Sequence, residues 1–314
     1  MAGGCAMSGL HGAVADYLTI RRALGFKLVG AGRLLEQFVG FTEAAGTDTV
    51  TTQLALQWAT LPPDGSSIWY AQRLGVVRCF ARWRQSIDPD TEVPPADLLP
   101  ACTRRAMPYL YSQTDIAALM TAAGRLPSPL AAATMQTFIG LVFATGMRRG
   151  EALGLDRRDL DPSTGLLTIR EAKFHKPRRL PLHASTVSAL AAYAARRDQL
   201  CPRPRTPAFF VSTTGARLAA TTVSHTFRVL LRETGIGQPS PACRPRIHDA
   251  RHTFAVATLL GWYRDGADVQ ARLPLLSTYL GHTDPRHTYW YLSAAPQLLA
   301  LAADRMERYP GATS

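Results

Sequence analysis

The chain has 314 residues, of which 46% are hydrophobic and 18% are charged, and this composition excludes a wholly disordered protein. Lysine and arginine (35) outnumber aspartate and glutamate (23), and the resulting charge of +12 indicates an anionic partner, most commonly nucleic acid. No apolar run approaches the roughly 18 residues of a membrane span, and the first basic residue is Arg21, which predicts no secretory signal. Five cysteines without C-x-x-C spacing predict reduced thiols and a cytoplasmic protein.

The two parts of the chain differ in charge, and a proline-rich stretch separates them. Residues 1–105 contain 10 basic and 9 acidic residues, whereas residues 106–314 contain 25 and 14. Residues 88–108 include five prolines, a composition typical of a linker. We therefore expect two domains, 1–105 and 106–314, with the basic excess in the second.

The first domain is predicted to be helical. Residues 10–60 place apolar side chains at helical spacing, and residues 67–86 form a further helix. The apolar stripe of that last helix consists of Leu74, Val77 and Phe80. Its other side carries arginines, which either contact DNA phosphates or are simply solvated. The candidate DNA contacts from this helix and the linker are Arg73, Arg78, Arg82, Arg84, Arg104 and Arg105.

The second domain is predicted to be mainly α with a small β-sheet. A capping box at Ser112–Asp115 opens a helix, and residues 131–144 are apolar on almost all sides, as in a buried helix. Two strands, 166–170 and 178–182, flank a short connection. Further helices are predicted at about 185–198, 221–234 and 249–263, from Pro274 to Gly281, and at 296–308.

Several polar residues stand beside these buried helices. Arg148 follows one of them, and His248 and Arg251 lie at i and i+3 at the N-terminal end of another, where anions are favoured. His282 follows a glycine that ends a helix, and Tyr291 belongs to a Tyr-Trp-Tyr cluster. Such groups can hold a phosphate, move protons and supply an oxygen nucleophile.

Lysine is rare in this chain, and two of the three lysines lie between the predicted strands. These are Lys173 and Lys176; the third is Lys27. A lysine can release a proton that an arginine keeps, although this pairing taken alone is also compatible with chance. The acidic residues of the second domain are few and dispersed, so we expect no metal site.

The ordered set of motifs resembles the tyrosine recombinase (phage integrase) family over about residues 108–305. The tail 288–294 resembles the branch carried by transposons and other mobile elements, while the polar stretch 264–273 is longer than the commonest family pattern. The matching motifs are ATGMRRGE at 144–151, Lys173, HDARH at 248–252, LGH at 280–282 and Tyr291.

The resemblance implies a helical core-binding domain followed by an α+β catalytic domain. It implies a site-specific recombinase that cuts and rejoins DNA through a 3′-phosphotyrosine intermediate, in integration or excision of a mobile element. No cofactor, metal or ATP is implied. The expected partners are double-stranded DNA with specific recombination sites and further recombinase subunits, as a homo-tetramer or a hetero-tetramer on synapsed DNA. The expected location is the nucleoid of a bacterial cytoplasm.

The resemblance also implies a role for each site residue. Tyr291 would attack the phosphorus, and Arg148 and Arg251 would hold the two non-bridging oxygens. Lys173 would protonate the leaving 5′-oxygen.

Three further residues would support this chemistry. His248 would handle the tyrosine proton, and His282 would donate a hydrogen bond to the phosphate. Glu151 would orient either His248 or the arginine.

Rival residues exist for several of these roles. Lys176 competes with Lys173 for the role of proton donor. We prefer Lys173 because Lys173 directly follows the first strand. Lys176 and Arg178 are candidate DNA contacts. Arg149 competes with Arg148, but neighbours on a helix differ by about 100°, so only one faces the site. The three-residue offset to Glu151 selects Arg148. His248 and His252 could pair on zinc, but no third ligand is evident.

Two other functions fit parts of the pattern. A type IB topoisomerase would share the residues but act alone, and an inactive DNA-binding accessory protein would need none of them. The compact size and separate first domain favour the recombinase over the topoisomerase. The presence of every expected catalytic residue favours it over the accessory protein.

Overall fold

The computed structural model describes residues 9–100, 107–170, 177–237, 244–282, 284 and 286–294. The chain forms two compact units, 1–105 and 106–314. Helices dominate and the described strands form one three-stranded sheet, so the predicted fold class is confirmed. None of the described helices combines the length and apolar character needed to cross a membrane.

The first unit is a small helical domain built around aromatic and aliphatic side chains. Thr51 and Ser66 cap two of its helices, each accepting a backbone N–H at 3.2 Å. The rings of Phe38 and Trp58 pack edge to face in its core, with centroids 5.3 Å apart. The described helices are α1 (Leu10–Ala23), α2 (Val29–Ala44), α3 (Thr52–Thr60) and α4 (Ser67–Gln85).

The structure corrects the expected DNA-binding face of α4. Arg73 is buried over the ring of Trp58, 3.8 Å from its centroid, and donates to the Trp58 carbonyl. Arg84 is buried beside Asp88, and Arg78 donates to the carbonyls of two linker prolines at 2.7 Å. Helix α4 contacts α1, α2 and α3. The part of its surface that faces the core is therefore wider than its apolar stripe and includes Arg73 and Arg84.

Of the four arginines of α4, Arg82 alone is exposed. Arg73 and Arg84 belong to the core of the unit, so a phosphate contact by either of them is not compatible with this packing. Arg104 and Arg105 lie outside the described residues.

The second unit contains eight described helices and the sheet, whose strands are antiparallel in the order β1-β2-β3. The strands are β1 (Leu160–Asp161), β2 (Leu166–Ile169) and β3 (Arg178–Pro181), and a short 3₁₀ turn, Arg157–Asp159, precedes them. The helices are α5 (Gln113–Gly124), α6 (Pro129–Thr145), α7 (Arg149–Gly154), α8 (Ala184–Leu200), α9 (Ala220–Thr234), α10 (Asp249–Arg264), α11 (Val269–Leu280) and α12 (Arg286–Ala294).

Helix α6 is the buried centre of this unit. It packs against α5, α8 and α10, and the capping box predicted at Ser112 is present at the start of α5. Gly146 ends α6 in the left-handed conformation, with φ of 60°. A Cβ at Gly146 would lie 2.6 Å from the Phe254 ring, so glycine also permits this close approach. Helix α6 therefore ends at the Gly146 cap, two residues before Arg148.

The prediction that a helix starts at Pro274 is wrong. Helix α11 begins five residues earlier, at Val269, where the Asp268 side chain accepts the N–H of Ala271 at 3.1 Å. Pro274 lies inside the helix, where it costs one intrahelical hydrogen bond without ending the helix. Helix α12 was not predicted, and the helix expected at 296–308 lies outside the described residues.

Candidate active site

The C-terminal end of α11 brings three arginines together. The last carbonyls of a helix have no partner within it and carry the negative end of the helix dipole, so they attract guanidinium groups. Each arginine donates to a different carbonyl: Arg178 Nε to Tyr279 O (3.1 Å), Arg251 Nη2 to Leu280 O (2.7 Å) and Arg148 Nη2 to Gly281 O (2.7 Å).

Glu151 is shared by two of these arginines. Arg148 donates its backbone N–H to Oε2 (2.9 Å) and its Nη1 to Oε1 (2.8 Å), while Arg178 adds a bidentate pair at 2.9 and 2.8 Å. Burial alone raises the pKa of Glu151, but the hydrogen bonds and charge of Arg178, together with the hydrogen bonds of Arg148, outweigh burial and hold that pKa below its usual value. Glu151 is therefore a buried, ionised carboxylate that binds both Arg148 and Arg178.

The structure corrects the expectation for Arg178. Its side chain is only 13% exposed, and its Nε, Nη1 and Nη2 all donate to protein oxygens. A Cβ at position 281 would lie 2.6 Å from Arg178 Nη1, so Gly281 provides the room in which this guanidinium lies. Arg178 is consequently part of the site's interior and not a surface DNA contact.

Arg251 is buried at the start of α10 and reaches the ends of two helices. Besides Leu280, it donates to the carbonyl of Gly146, at 3.0 Å. Burial and the nearby charge of Arg148 lower the pKa of Arg251 to about 10, so it stays protonated at neutral pH. Two guanidiniums held this closely favour an anion between or beside them.

The two predicted histidines lie in the same positive field. Burial and the charge of Arg251 lower the pKa of His248. Burial and the charges of Arg251 and Arg148 lower the pKa of His282 to about 3. His282 Nδ1 lies 2.7 Å from Thr288 Oγ1. Both imidazoles are neutral at pH 7, and each can therefore donate one proton and accept another.

Tyr291 lies inside this cluster, whereas Tyr289 does not. The Tyr291 ring is stacked on His282, with centroids 6.2 Å apart, and Tyr291 is 2% exposed. Its phenol is close enough to Arg251 to influence that guanidinium's pKa. Tyr289 is 52% exposed, because residues two apart on a helix point about 200° apart.

The rival residues have their own contacts. Arg149 turns towards α9, where its Nη1 donates to Ser224 Oγ at 2.6 Å. The His252 ring lies between three aromatic neighbours, 5.2 Å from His248 and 5.4 Å from both Trp290 and Tyr291. The described residues contain no group of three His, Cys, Asp or Glu arranged to hold a metal. Lys173 and Lys176 lie outside the described residues, so their roles stay predictions.

Beside the site is a basic cavity of about 1050 Å³ that the sequence analysis did not identify. Arg148 and His248 line it, together with apolar residues of α9. The sequence feature that could have indicated this cavity is the alternation of Arg244, Arg246 and His248 between α9 and α10. The further lining arginines are Arg149, Arg228, Arg232, Arg244 and Arg246.

Comparison with known proteins identifies the family that the sequence motifs resemble. The Phage integrase family matches residues 111–297. A Sinorhizobium fredii protein named as an integrase/recombinase, y4rB, is 43% identical over 308 residues, covering 96% of this chain and 98% of that relative. The tyrosine recombinase XerC of Azotobacter vinelandii is 29% identical over 240 residues, covering 76% and 74%.

Solved structures show the same fold at low sequence identity. The Tn1549 transposon integrase in complex with transposon right end DNA is 15% identical and has a TM-score of 0.64, covering 96% of this chain and 99% of that one. The XerA recombinase is 22% identical with a TM-score of 0.51, covering 95% and 97%. The family match over more than half of the chain and the relative that is 43% identical show that the chain belongs to the phage integrase family, the tyrosine recombinases that carry out site-specific DNA recombination.

Proposed function

We propose that this chain is a site-specific recombinase that cuts and rejoins DNA through a 3′-phosphotyrosine at Tyr291. The observation that carries the proposal is the cluster of Arg148, Arg251, His282 and Tyr291 around the end of α11. The relative named as an integrase/recombinase and the transposon integrase with the same fold support a role in moving a mobile element.

Cleavage in this proposal is a balanced transesterification. The Tyr291 oxygen bonds to phosphorus, and the bond from phosphorus to the 5′-oxygen breaks. The phenol proton passes to His248, and the 5′-oxygen receives a proton from Lys173. The products are a 3′-phosphotyrosine and a free 5′-hydroxyl, and the reverse reaction with a new 5′-hydroxyl rejoins the strands.

The arginines stabilise the charge that develops on the phosphate. Arg148 and Arg251 are already held by the carbonyls of Gly281 and Leu280, so little reorganisation is needed when the phosphate enters. Arg148 donates two of its five guanidinium N–H groups within the described part of the chain, which leaves others for the phosphate.

The depressed pKa values of the histidines fit their proposed roles. His248 must be neutral to accept the phenol proton, and burial and the charge of Arg251 lower its pKa. His282 remains neutral and can still donate one N–H to a phosphate oxygen. Tyr291 is buried, so cleavage requires its phenol to become accessible to the DNA.

DNA binding follows from the charge of the second unit. We propose that the arginines of the basic cavity contact phosphates and that the first unit acts as the core-binding domain. Double-stranded DNA carrying recombination sites is the substrate, and a tetramer on two synapsed sites carries out exchange. Lys176, Arg82, Arg104 and Arg105 stay as candidate contacts.

A plasmid with two copies of the recombination site tests the proposed function. The DNA flanking the gene supplies candidate sites, because the ends of a mobile element include its targets. A recombinase exchanges the two sites, whereas a topoisomerase relaxes the plasmid without exchange and an inactive binding protein does neither. Relaxation without exchange, or binding without cleavage, would contradict the proposal.

Cleavage should proceed without a divalent metal. The positive charge at the phosphate comes from Arg148, Arg251 and Lys173, so the reaction needs no metal to neutralise the phosphate. Formation of the covalent adduct on a nicked suicide substrate should be unchanged in excess EDTA. Complete loss of the adduct, restored by Mg²⁺, would indicate a nuclease-type mechanism.

Lys173→Ala should fail mainly at expelling the 5′-oxygen. A substrate with sulfur at the 5′-bridging position has a leaving group that needs no proton, so it should restore most of the cleavage rate of Lys173→Ala. It should not restore Arg251→Ala, which lacks charge stabilisation. If Lys176→Ala is the rescued variant and Lys173→Ala is normal, the assignment of the lysine is wrong.

A further inference from the structure

We infer that Arg178 is a positioning residue that sets the charge and orientation of Arg148 at the phosphate, acting through Glu151. This inference rests on the proposed function, because it gives Arg148 its role at a non-bridging oxygen. Arg178 itself would not touch the DNA, since its described contacts lie in the interior of the site.

Arg178 sets the net charge of the group around Arg148. Arg148, Arg178 and Glu151 together carry a net charge of +1, whereas Arg148 and Glu151 alone carry none. The Glu151 side chain is 3% exposed, so water cannot screen it effectively. With Arg178 removed, the phosphate would meet a neutral ion pair where it now meets a cation.

Arg178 also limits how many donors of Arg148 the Glu151 carboxylate takes up. Arg178 supplies each carboxylate oxygen of Glu151 with one hydrogen bond. Arg148 then contributes one guanidinium bond to Oε1 and keeps Nη2 on the Gly281 carbonyl. Without Arg178, the buried carboxylate would draw a second donor from Arg148, turning that guanidinium away from Gly281 and from the phosphate.

Arg178 and Arg148 bind carbonyls at the same end of α11. Arg178 Nε binds the carbonyl of Tyr279, two residues before the carbonyl that holds Arg148. Arg178 thus connects β3, Glu151 and the end of α11, which are the elements that determine where Arg148 lies. A displacement of about 1 Å at such a site can cost about 100-fold in rate.

The test is covalent cleavage of a suicide substrate by the full chain, with the scissile phosphate replaced by either diastereomer of a methylphosphonate. A methyl group removes the charge of one non-bridging oxygen, so the arginine that neutralises this oxygen becomes dispensable. Arg148→Ala and Arg251→Ala identify which diastereomer reports on which arginine. Arg179→Ala is the matched control, because Arg179 is an exposed neighbour on the same strand.

We expect Arg178→Ala to lose about 100-fold in cleavage of the normal phosphate, with DNA affinity within about threefold of the parent protein. The diastereomer that rescues Arg148→Ala should also rescue Arg178→Ala, and the diastereomer specific to Arg251→Ala should not. The double variant Arg148→Ala/Arg178→Ala should be no slower than Arg148→Ala, because the two residues act as a unit. Arg179→Ala should cleave like the parent protein.

Three results would overturn the inference while leaving the proposed function intact. They are normal cleavage by Arg178→Ala, loss of DNA affinity as the main defect, and equal failure on both diastereomers. If Arg178→Ala does not fold, Arg178→Lys serves instead: it keeps the charge but loses the bidentate geometry, so it should show the same stereochemical rescue at a smaller rate loss. A parent protein that forms no adduct would contradict the proposed function itself.

Discussion

Replacing Tyr291 with phenylalanine should abolish the covalent protein–DNA adduct while DNA binding persists. The substitution removes only the phenolic oxygen and keeps the ring that stacks on His282 and packs against His252. The unit should therefore fold and bind its site, but no other group in the proposal can form the phosphodiester to the protein. The measurement is an SDS-resistant adduct on a suicide substrate, with a gel-shift assay for binding.

Tyr289→Phe is the matched control for this experiment. It removes the same atom two residues away, from an exposed ring on the other side of α12. The adduct should form at close to the normal level. An adduct that survives in Tyr291→Phe and disappears in Tyr289→Phe would show that the exposed phenol is the nucleophile.

Arg251→Ala should lower the cleavage rate by about 10²–10³-fold, the typical loss when one preorganised donor to a developing charge is removed. Its guanidinium is buried and held by the carbonyls of Gly146 and Leu280, so no flexible side chain can replace it at the phosphate. Arg251→Lys should recover only part of the loss, because a lysine is a point charge without the planar fork. Single-turnover cleavage at saturating protein measures this effect apart from binding.

Arg264→Ala controls for the loss of one positive charge from α10. Arg264 is exposed at the last turn of that helix, 13 residues or about 20 Å from Arg251. It should leave single-turnover cleavage unchanged at saturating protein. Equal losses in Arg251→Ala and Arg264→Ala would mean that net charge, and not the site, controls the rate.

The local features of the fold were predictable because they depend on neighbouring residues. The capping box at Ser112 and the apolar helix before Gly146 both follow from periodicity and helix geometry. The spacing of Arg148 and Glu151, three residues apart, likewise anticipated a contact that the structure contains.

The predictions that were wrong concern residues whose surroundings depend on contacts distant in the sequence. Arg178 meets Glu151 across 27 residues and Tyr279 across 101, so nothing local distinguished it from a surface arginine. Arg73 lies on the side of α4 that is polar in sequence, but α4 packs against three helices and the Arg73 guanidinium lies over the Trp58 ring. Pro274 indicated a helix start, but the cap at Asp268 and the packing of α11 outweighed its missing N–H.

The most direct test of the account is peptide mapping of the covalent adduct. The full chain is trapped on a suicide substrate from the flanking DNA, digested with protease and nuclease, and analysed by mass spectrometry. We predict a single modified peptide carrying a nucleotide 3′-phosphate on the oxygen of Tyr291. A 3′-phosphate mapped to Tyr289 or to a serine, or a protein attached to the 5′ end of the DNA, would contradict the proposed chemistry.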